Sequence, residues 1–383
     1  MSGRMKVLVD GVTYQKQPYG GISRLYSEIL PRMCDMDESL QITLFTDGPL
    51  KHPLPVHSRI MAITAPPIKH TLQVSGVWRF IPFPIRNLGR KLWHNLRSLW
   101  IGQRKDVIWH STYYTLPSFW SGSQVVTVYD MIHERFPDLY NEPLDDFARE
   151  QKRRCIQKAD VVICVSETTS QDVQAFYGVD SSSIRIIHIA YGSLFQQIKR
   201  GGDDFIVSNK QPFLLFIGKR GRYKNFQWLV QAYSMWSRLK EVALVVVGES
   251  WTNAEKTQMK ELGVWDQVHL LSGIDDIALC QIYNRAAAYV CPSLYEGFGI
   301  PILEAMACGC PVVASNIPST IEVAGDCPCY FELIDPESLL SAIDSVIEEG
   351  LSSDRIQRGL ERVKQFSWDE TARKTLEVYY ALQ

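Results

Sequence analysis

A chain of 383 residues with a formal net charge of −2 at pH 7 is too long for one ordinary hydrophobic core and fits two domains, and so even a charge balance predicts no nucleic-acid partner. Apolar residues make up 46% of it, as in an ordinary globular protein, yet no apolar stretch approaches the roughly 20 residues of a membrane span. The opening MSGRMKVLVDGV does not resemble a signal peptide, and nine cysteines, odd in number and scattered through apolar segments, fit a reduced cytoplasmic protein.

MKVLVDG reads as a first strand ending at Asp10 and Gly11, followed by a loop to Tyr19-Gly20-Gly21 and an amphipathic segment from Ile22. A glycine pair before a first helix lets the backbone approach an anion, or simply makes a turn. Further strands are expected at 41–46, 106–110, 124–128 and 160–165, with helical stretches between several of them. Such alternation argues for a mainly parallel sheet covered on both faces, with ligands beyond the carboxyl ends of its strands. His110, Tyr129-Asp130 and Ser166-Glu167 stand at or just after strand ends, and His133 follows in YDMIHERFP.

Residues 85–105, IRNLGRKLWHNLRSLWIGQRK, carry Arg86, Arg90, Lys91, Arg97, Arg104 and Lys105 but no carboxylate. Leu88, Leu92, Leu96 and Leu99 recur at three- and four-residue steps. The pattern is a basic amphipathic helix, which either lies on an anionic membrane surface or packs its leucines on the sheet.

A looser polar segment, 196–211, separates the two halves. FLLFIG opens the second, and Lys219, Arg220, Arg222 and Lys224 crowd the loop before a helix near Asn225. Cations after a strand end suit a pyrophosphate, arginine by bidentate contact and lysine as a compact charge; the expectation is an exposed phosphate clamp. VALVVVGES is the next strand and lacks G-x-G-x-x-G, which leaves a dehydrogenase without support. Another strand is expected at 267–271.

AYVCPSLYEGFGIPILEAMACGCPVV, 288–313, reads as strand, glycine loop, helix over 302–308 and strand. Gly297 and Gly299 permit close backbone approach, and a helix N-terminus aimed at the loop favours phosphate. Glu296 and Glu304 flank it, and carboxylates there are good acceptors for hydroxyls. A ligand with both groups, such as a sugar nucleotide, meets both demands. Cys308, Cys310, Cys327 and Cys329 form two C-x-C pairs, tighter than the two- to four-residue gaps of structural zinc sites. No D-x-D stands at a strand end, so no metal and no cofactor is expected.

EGFGIPILE resembles the E-x7-E signature of the retaining family-4 glycosyltransferases, and the resemblance extends through FIGKRGRYKN, LSGIDDIALCQIYNRAAAYVCPS, SNIPSTIEVAGD and FSWDETARKTLEVY. It implies an α/β architecture of two Rossmann-like doubly wound domains facing across a cleft, the GT-B fold. The acceptor domain would span 1–195 with a returning C-terminal helix, 366–383, and the donor domain 196–365. By the same resemblance Glu296, Arg220, Lys224, Asp130 and His133 form the catalytic set, with Glu296 on the transferred sugar. Gly20, Gly21, Lys219, Gly297, Phe298, Gly299, Ile300 and Glu304 would hold the donor, Glu304 through the ribose hydroxyls. The backbone around Leu271 and Ile274 would seat the base. The family often has His-Asp where this chain has Tyr129-Asp130, a departure from its pattern; His110, which either lines the cleft or is a hydrogen-bonded histidine at a strand end, and His133 are the candidates for the acceptor-side histidine, beside Tyr129.

The implied activity is retaining, metal-independent transfer of a sugar from a nucleotide donor, UDP favoured over GDP, to a growing lipid-linked glycan in polysaccharide biosynthesis. A cytoplasmic enzyme touching the membrane through 85–105 is expected. Rival readings are a noncatalytic sugar-nucleotide-binding scaffold, an epimerase on the same fold, or a phosphorylase, for which no pyridoxal phosphate lysine stands out.

Overall fold

The computed structural model describes residues 4–16, 20–46, 48–64, 106–117, 120–198, 211–350 and 353–383. The basic stretch 85–105, Tyr19 and most of the polar segment 196–211 lie outside them. The chain divides into two compact units, Met1–Ile189 with Trp368–Gln383, and Ala190–Ser367.

The first unit is built on β1 (Lys6–Asp10), β2 (Gln41–Thr46), β3 (Ile60–Thr64), β4 (Ile108–Ser111), β5 (Gln124–Val128), β6 (Val161–Cys164) and β7 (Ile184–Ile186). They pair in the order β3-β2-β1-β4-β5-β6-β7, every pair parallel. Continuous runs such as VVIC in β6 are buried along their whole length, as a sheet covered on both faces requires. The strand order reverses between β1 and β4, whose ends are tied by buried Asp10. Its carboxylate accepts from Ser111 Oγ at 3.1 Å, Thr112 N at 3.0 Å and the Thr112 and Thr115 hydroxyls. Helix Gly21–Met36 packs against the C-terminal helix Trp368–Tyr380 through Arg32–Asp369 at 2.9 Å and Tyr380–Asp37 at 3.0 Å. The last helix therefore belongs with the first half of the chain.

In the second unit β8 (Phe213–Ile217), β9 (Ala243–Val247), β10 (Val268–Leu271), β11 (Ala288–Cys291), β12 (Val312–Ser315) and β13 (Cys329–Phe331) pair in the order β10-β9-β8-β11-β12-β13, again parallel. Leu214, Leu244, Val246, Val290 and Val313 pack in one buried cluster with Phe226 and Tyr233 of helix Phe226–Ser234 and with Ile343 and Val346 of helix Pro336–Glu349. Here the order reverses between β8 and β11. Loops leaving the carboxyl ends of those two strands flank the crevice where such sheets bind ligands.

Strands β3, β7 and β13 have no counterpart among the expected elements. β7 and β13 are three residues long and β3 is largely exposed, so none carries the sustained buried run that marks a central strand. Helix Ile300–Ala307 starts two residues earlier than expected, because Pro301 fits its first turn.

Candidate functional site

The loop after β11 and the loop after β8 meet at the reversal point of the second sheet. Leu294 N donates to Tyr223 O at 2.8 Å, clamping the two loops together. That contact brings Lys224 Nζ to 2.6 Å from Glu296 Oε1. Ser293 Oγ donates to the same oxygen at 2.6 Å. Glu296 is 8% exposed. Burial opposes the charge on Lys224, but the Glu296 carboxylate, together with Tyr223 and Cys291, outweighs it and holds the ammonium well above its ordinary range.

Gly299 then takes the left-handed conformation, φ 101°, and caps helix Ile300–Ala307. A glycine meets this demand without strain. Gly297 and Phe298 are buried in the loop and Ile300 is half-buried at the first helical position; Phe298 sits edge-on to Phe366 with centroids 5.7 Å apart. One turn into the helix, Glu304 is 5% exposed and accepts from Tyr283 Oη at 3.2 Å on Oε2. The loop thus presents two oriented carboxylates and one ammonium beside a helix N-terminus.

Arg220 points elsewhere. Its Nε donates to Glu255 Oε1 at 2.6 Å, Nη1 to Glu249 O at 2.7 Å, and Nη2 to Ser250 O at 2.9 Å and Glu255 Oε2 at 3.2 Å. The guanidinium also lies 4.5 Å from the Trp251 ring centroid. Burial would raise the Glu255 carboxyl, yet hydrogen bonds from Arg220 and from the Thr252 amide and hydroxyl, with the Arg220 charge, together hold it below its ordinary value. The exposed clamp expected at Arg220 is instead a buried latch between the loops after β8 and β9. We expect Arg220→Ala to cost about 2 kcal/mol of stability, because it leaves Glu255 without its cation. This contribution is present above the ordinary carboxyl pKa and fades as pH falls through the lowered one. Denaturant titration reads it; an unchanged midpoint with lost turnover would return Arg220 to the ligand.

Lys219 is exposed in the same loop. Gly248, after β9, comes so close to it that an added Cβ would lie 2.9 Å from Gly218 O. Leu271 O accepts from Gly248 N at 3.1 Å, and half-buried Ile274 follows just before helix Asp276–Arg285.

In the first unit, Gly20 and Gly21 are exposed where helix Gly21–Met36 begins. His110 is 1% exposed and hydrogen-bonded with Tyr379 Oη at 2.5 Å and Thr127 Oγ1 at 2.8 Å. Burial drives its pKa down to about 3. The acceptor-side position expected for His110 gives way to a neutral structural hub under the C-terminal helix. Tyr129 spends its hydroxyl on Tyr26 Oη at 3.0 Å and Thr112 O at 2.9 Å. Ser166 is the N-cap of helix Glu167–Tyr177, accepting from Thr169 N at 3.0 Å.

Asp130 and His133 do come together, around buried Lys152. Lys152 Nζ lies 2.9 Å from Glu134 Oε2, 3.1 Å from Asp130 O and 3.9 Å from Asp130 Oδ1. The His133 ring lies tilted against Tyr140, centroids 4.5 Å apart, with Nε2 3.8 Å from Asp145. Burial, aided by the Lys152 charge, lowers its pKa against the pull of nearby carboxylates. Its Nδ1 has no partner.

Ser293, Tyr283, Glu255 and Lys152 had no place in the sequence reading, although each orients a candidate residue. Ser293 alone carried a local signal, three residues before Glu296. Among the described residues no group of three His, Cys, Asp or Glu side chains is placed to hold a metal ion, and no helix is long and apolar enough to cross a membrane.

The model of "Glycosyl transferases group 1" matches residues 203–362, and that of "Glycosyltransferase Family 4" matches 19–190. The chain is 27% identical to O-antigen chain mannosyltransferase B of Escherichia coli, over 96% of this chain and 97% of that one. It is 29% identical to O-antigen chain mannosyltransferase RfbU of Salmonella typhimurium, over 66% and 68%. In structure it is similar to WaaG, a glycosyltransferase involved in lipopolysaccharide biosynthesis, with a TM-score of 0.72 over 97% of this chain and 99% of that one at 15% identity. It is also similar to a sucrose-phosphate synthase of Thermosynechococcus elongatus, with a TM-score of 0.75 over 99% of both chains at 18% identity. Identities that low carry the fold alone.

Proposed function

The chain belongs to the family-4 glycosyltransferases of the GT-B fold, and from that premise we propose that it is a retaining enzyme of polysaccharide assembly. It would move a hexose from a nucleoside diphosphate sugar to a hydroxyl of a growing, lipid-linked glycan. The names of its relatives put mannose first among the sugars. One observation carries the reading: Lys224 and Glu296 form a 2.6 Å pair beside a glycine loop and a helix N-terminus. A cation and amide dipoles for phosphate thus adjoin a carboxylate for sugar hydroxyls.

We assign Lys224, exposed Lys219 and the 297–300 backbone to the diphosphate, since Arg220 is engaged with Glu255. Glu296 takes a hydroxyl of the transferred sugar and Glu304 the ribose. As the C1–O bond to phosphate breaks, these groups stabilise the departing charge. The C1–O bond to the acceptor forms on the same face, and the acceptor proton passes to the leaving phosphate oxygen. In the first unit we assign Asp130 and neutral His133 to the acceptor hydroxyl.

The test is nucleotide release by the purified chain with GDP-mannose, UDP-glucose and UDP-galactose, with and without acceptor. One donor should turn over, equally fast in EDTA, and the product should keep the donor's anomeric configuration by NMR. Binding without release would make the chain a scaffold, inversion would overturn the retaining step, and EDTA loss restored by Mn2+ would overturn metal independence. Membrane contact through 85–105 rests on sequence pattern. Wild type should co-sediment with anionic liposomes and Arg90→Glu/Lys91→Glu should not; equal behaviour would end that idea.

A further inference from the structure

We propose that Ser293 is a positioning residue for the transfer step, holding Glu296 in place while Lys224 turns to the donor diphosphate. The inference rests on the roles of Glu296 and Lys224 given above.

Among the described residues three donors reach Glu296, and all fall on one oxygen. Lys224 Nζ and Ser293 Oγ each stand 2.6 Å from Oε1, and Cys291 Sγ stands 4.0 Å from it. Oε2 is left as the oxygen for a ligand hydroxyl. Two strong donors from different loops fix both the position and the plane of the carboxylate, which is what a group reading one sugar hydroxyl needs.

Lys224 is a shared resource. When a diphosphate with its greater charge enters, the ammonium is drawn towards it and its bond to Oε1 weakens. Glu296 is 8% exposed, so water cannot freely replace the lost donor, and a buried carboxylate short of donors swings out of place. Cys291 is a poor substitute: it is distant, and burial together with Glu296 keeps it a neutral thiol. Ser293 is different because its place does not depend on the ligand. It is 1% exposed and directly follows Pro292 at the end of β11. Its neighbour Leu294 is clamped to Tyr223 O at 2.8 Å. The serine hydroxyl therefore stays when the ammonium leaves.

The experiment compares wild type with Ser293→Ala, Ser293→Thr, Ser293→Cys and Glu296→Gln. It reads kcat, donor KM, the Kd of the free nucleoside diphosphate, and the thermal midpoint. Ser293→Ala should lower kcat by roughly ten- to a hundredfold, the scale of a slightly misplaced catalytic group. The free-nucleotide Kd should stay within about twofold of wild type, because Glu296 serves the sugar. Ser293→Thr should recover most of kcat, and Ser293→Cys, which keeps the volume but not a strong donor, should stay slow even if the alanine variant folds poorly. Wild-type kcat in the alanine or cysteine variant would overturn the proposal. So would a parallel fall of kcat and nucleotide affinity, which would make Ser293 a mere support of the loop. Those results with an inactive Glu296→Gln would leave the reading of Glu296 standing; a fully active Glu296→Gln would overturn both.

Discussion

Lys224→Ala should lower transfer by roughly 10²–10³-fold, the usual loss when one preorganised donor to a developing negative charge is removed. Lys224 is the cation that the fold aims into the glycine loop, 2.6 Å from Glu296, and Arg220 cannot take its place, since it is held by Glu255, Glu249 and Ser250. The effect should appear in kcat with acceptor present and in acceptor-free hydrolysis alike, since both expel the same diphosphate. Because Glu296 helps hold the ammonium above its ordinary pKa of 10.5, the stabilisation of the charged lysine is fully present at neutral pH and fades only as pH rises through the raised value. Activity changes near neutral pH must therefore come from other groups. Wild-type turnover in Lys224→Ala would sink the assignment.

Glu304→Gln is expected to weaken binding of the free nucleotide by about 1.5–3 kcal/mol, roughly ten- to a hundredfold, because a charged acceptor of hydroxyl hydrogen bonds becomes neutral. The substitution preserves shape. Tyr283 Oη, 3.2 Å from Glu304 Oε2, can still donate to the amide oxygen, so the helix should not move. Calorimetry with the free nucleoside diphosphate reads the effect, and Glu296→Gln is the control that should bind it nearly as wild type does. An unchanged Kd in Glu304→Gln would remove the ribose from this carboxylate.

Much of this molecule is written locally. The strands at 41–46, 124–128 and 288–291 stand where their apolar runs predict, because a strand buried on both faces announces itself in consecutive residues. The glycine loop is equally local: Gly299 sits at a φ that favours glycine, between two glutamates eight residues apart. Even the alternation of strand and helix, and so the pair of parallel sheets, follows from short-range pattern. The three strands that escaped notice are short or exposed, and gain their place only by pairing with a neighbour.

What the sequence could not assign was the partner of each charge. Arg220 and Lys224 stand four residues apart in one basic loop and look interchangeable as phosphate clamps. In the folded chain β8 lies between β9 and β11, so the loop that leaves it has a different neighbour on either side. Arg220 turns to the β9 side and closes on Glu255, 35 residues away; Lys224 turns to the β11 side and meets Glu296, 72 residues away. His110 is decided in the same manner by Tyr379, 269 residues on, which packs over it and makes it part of the interior. The sequence by itself determined where the cations and the glycine loop between two glutamates lie, since those depend on residue type and local conformation. Which cation meets Glu296 at the glycine loop and which is latched to Glu255 was decided only by strand order, because the partners come from distant segments that crossover connections bring side by side.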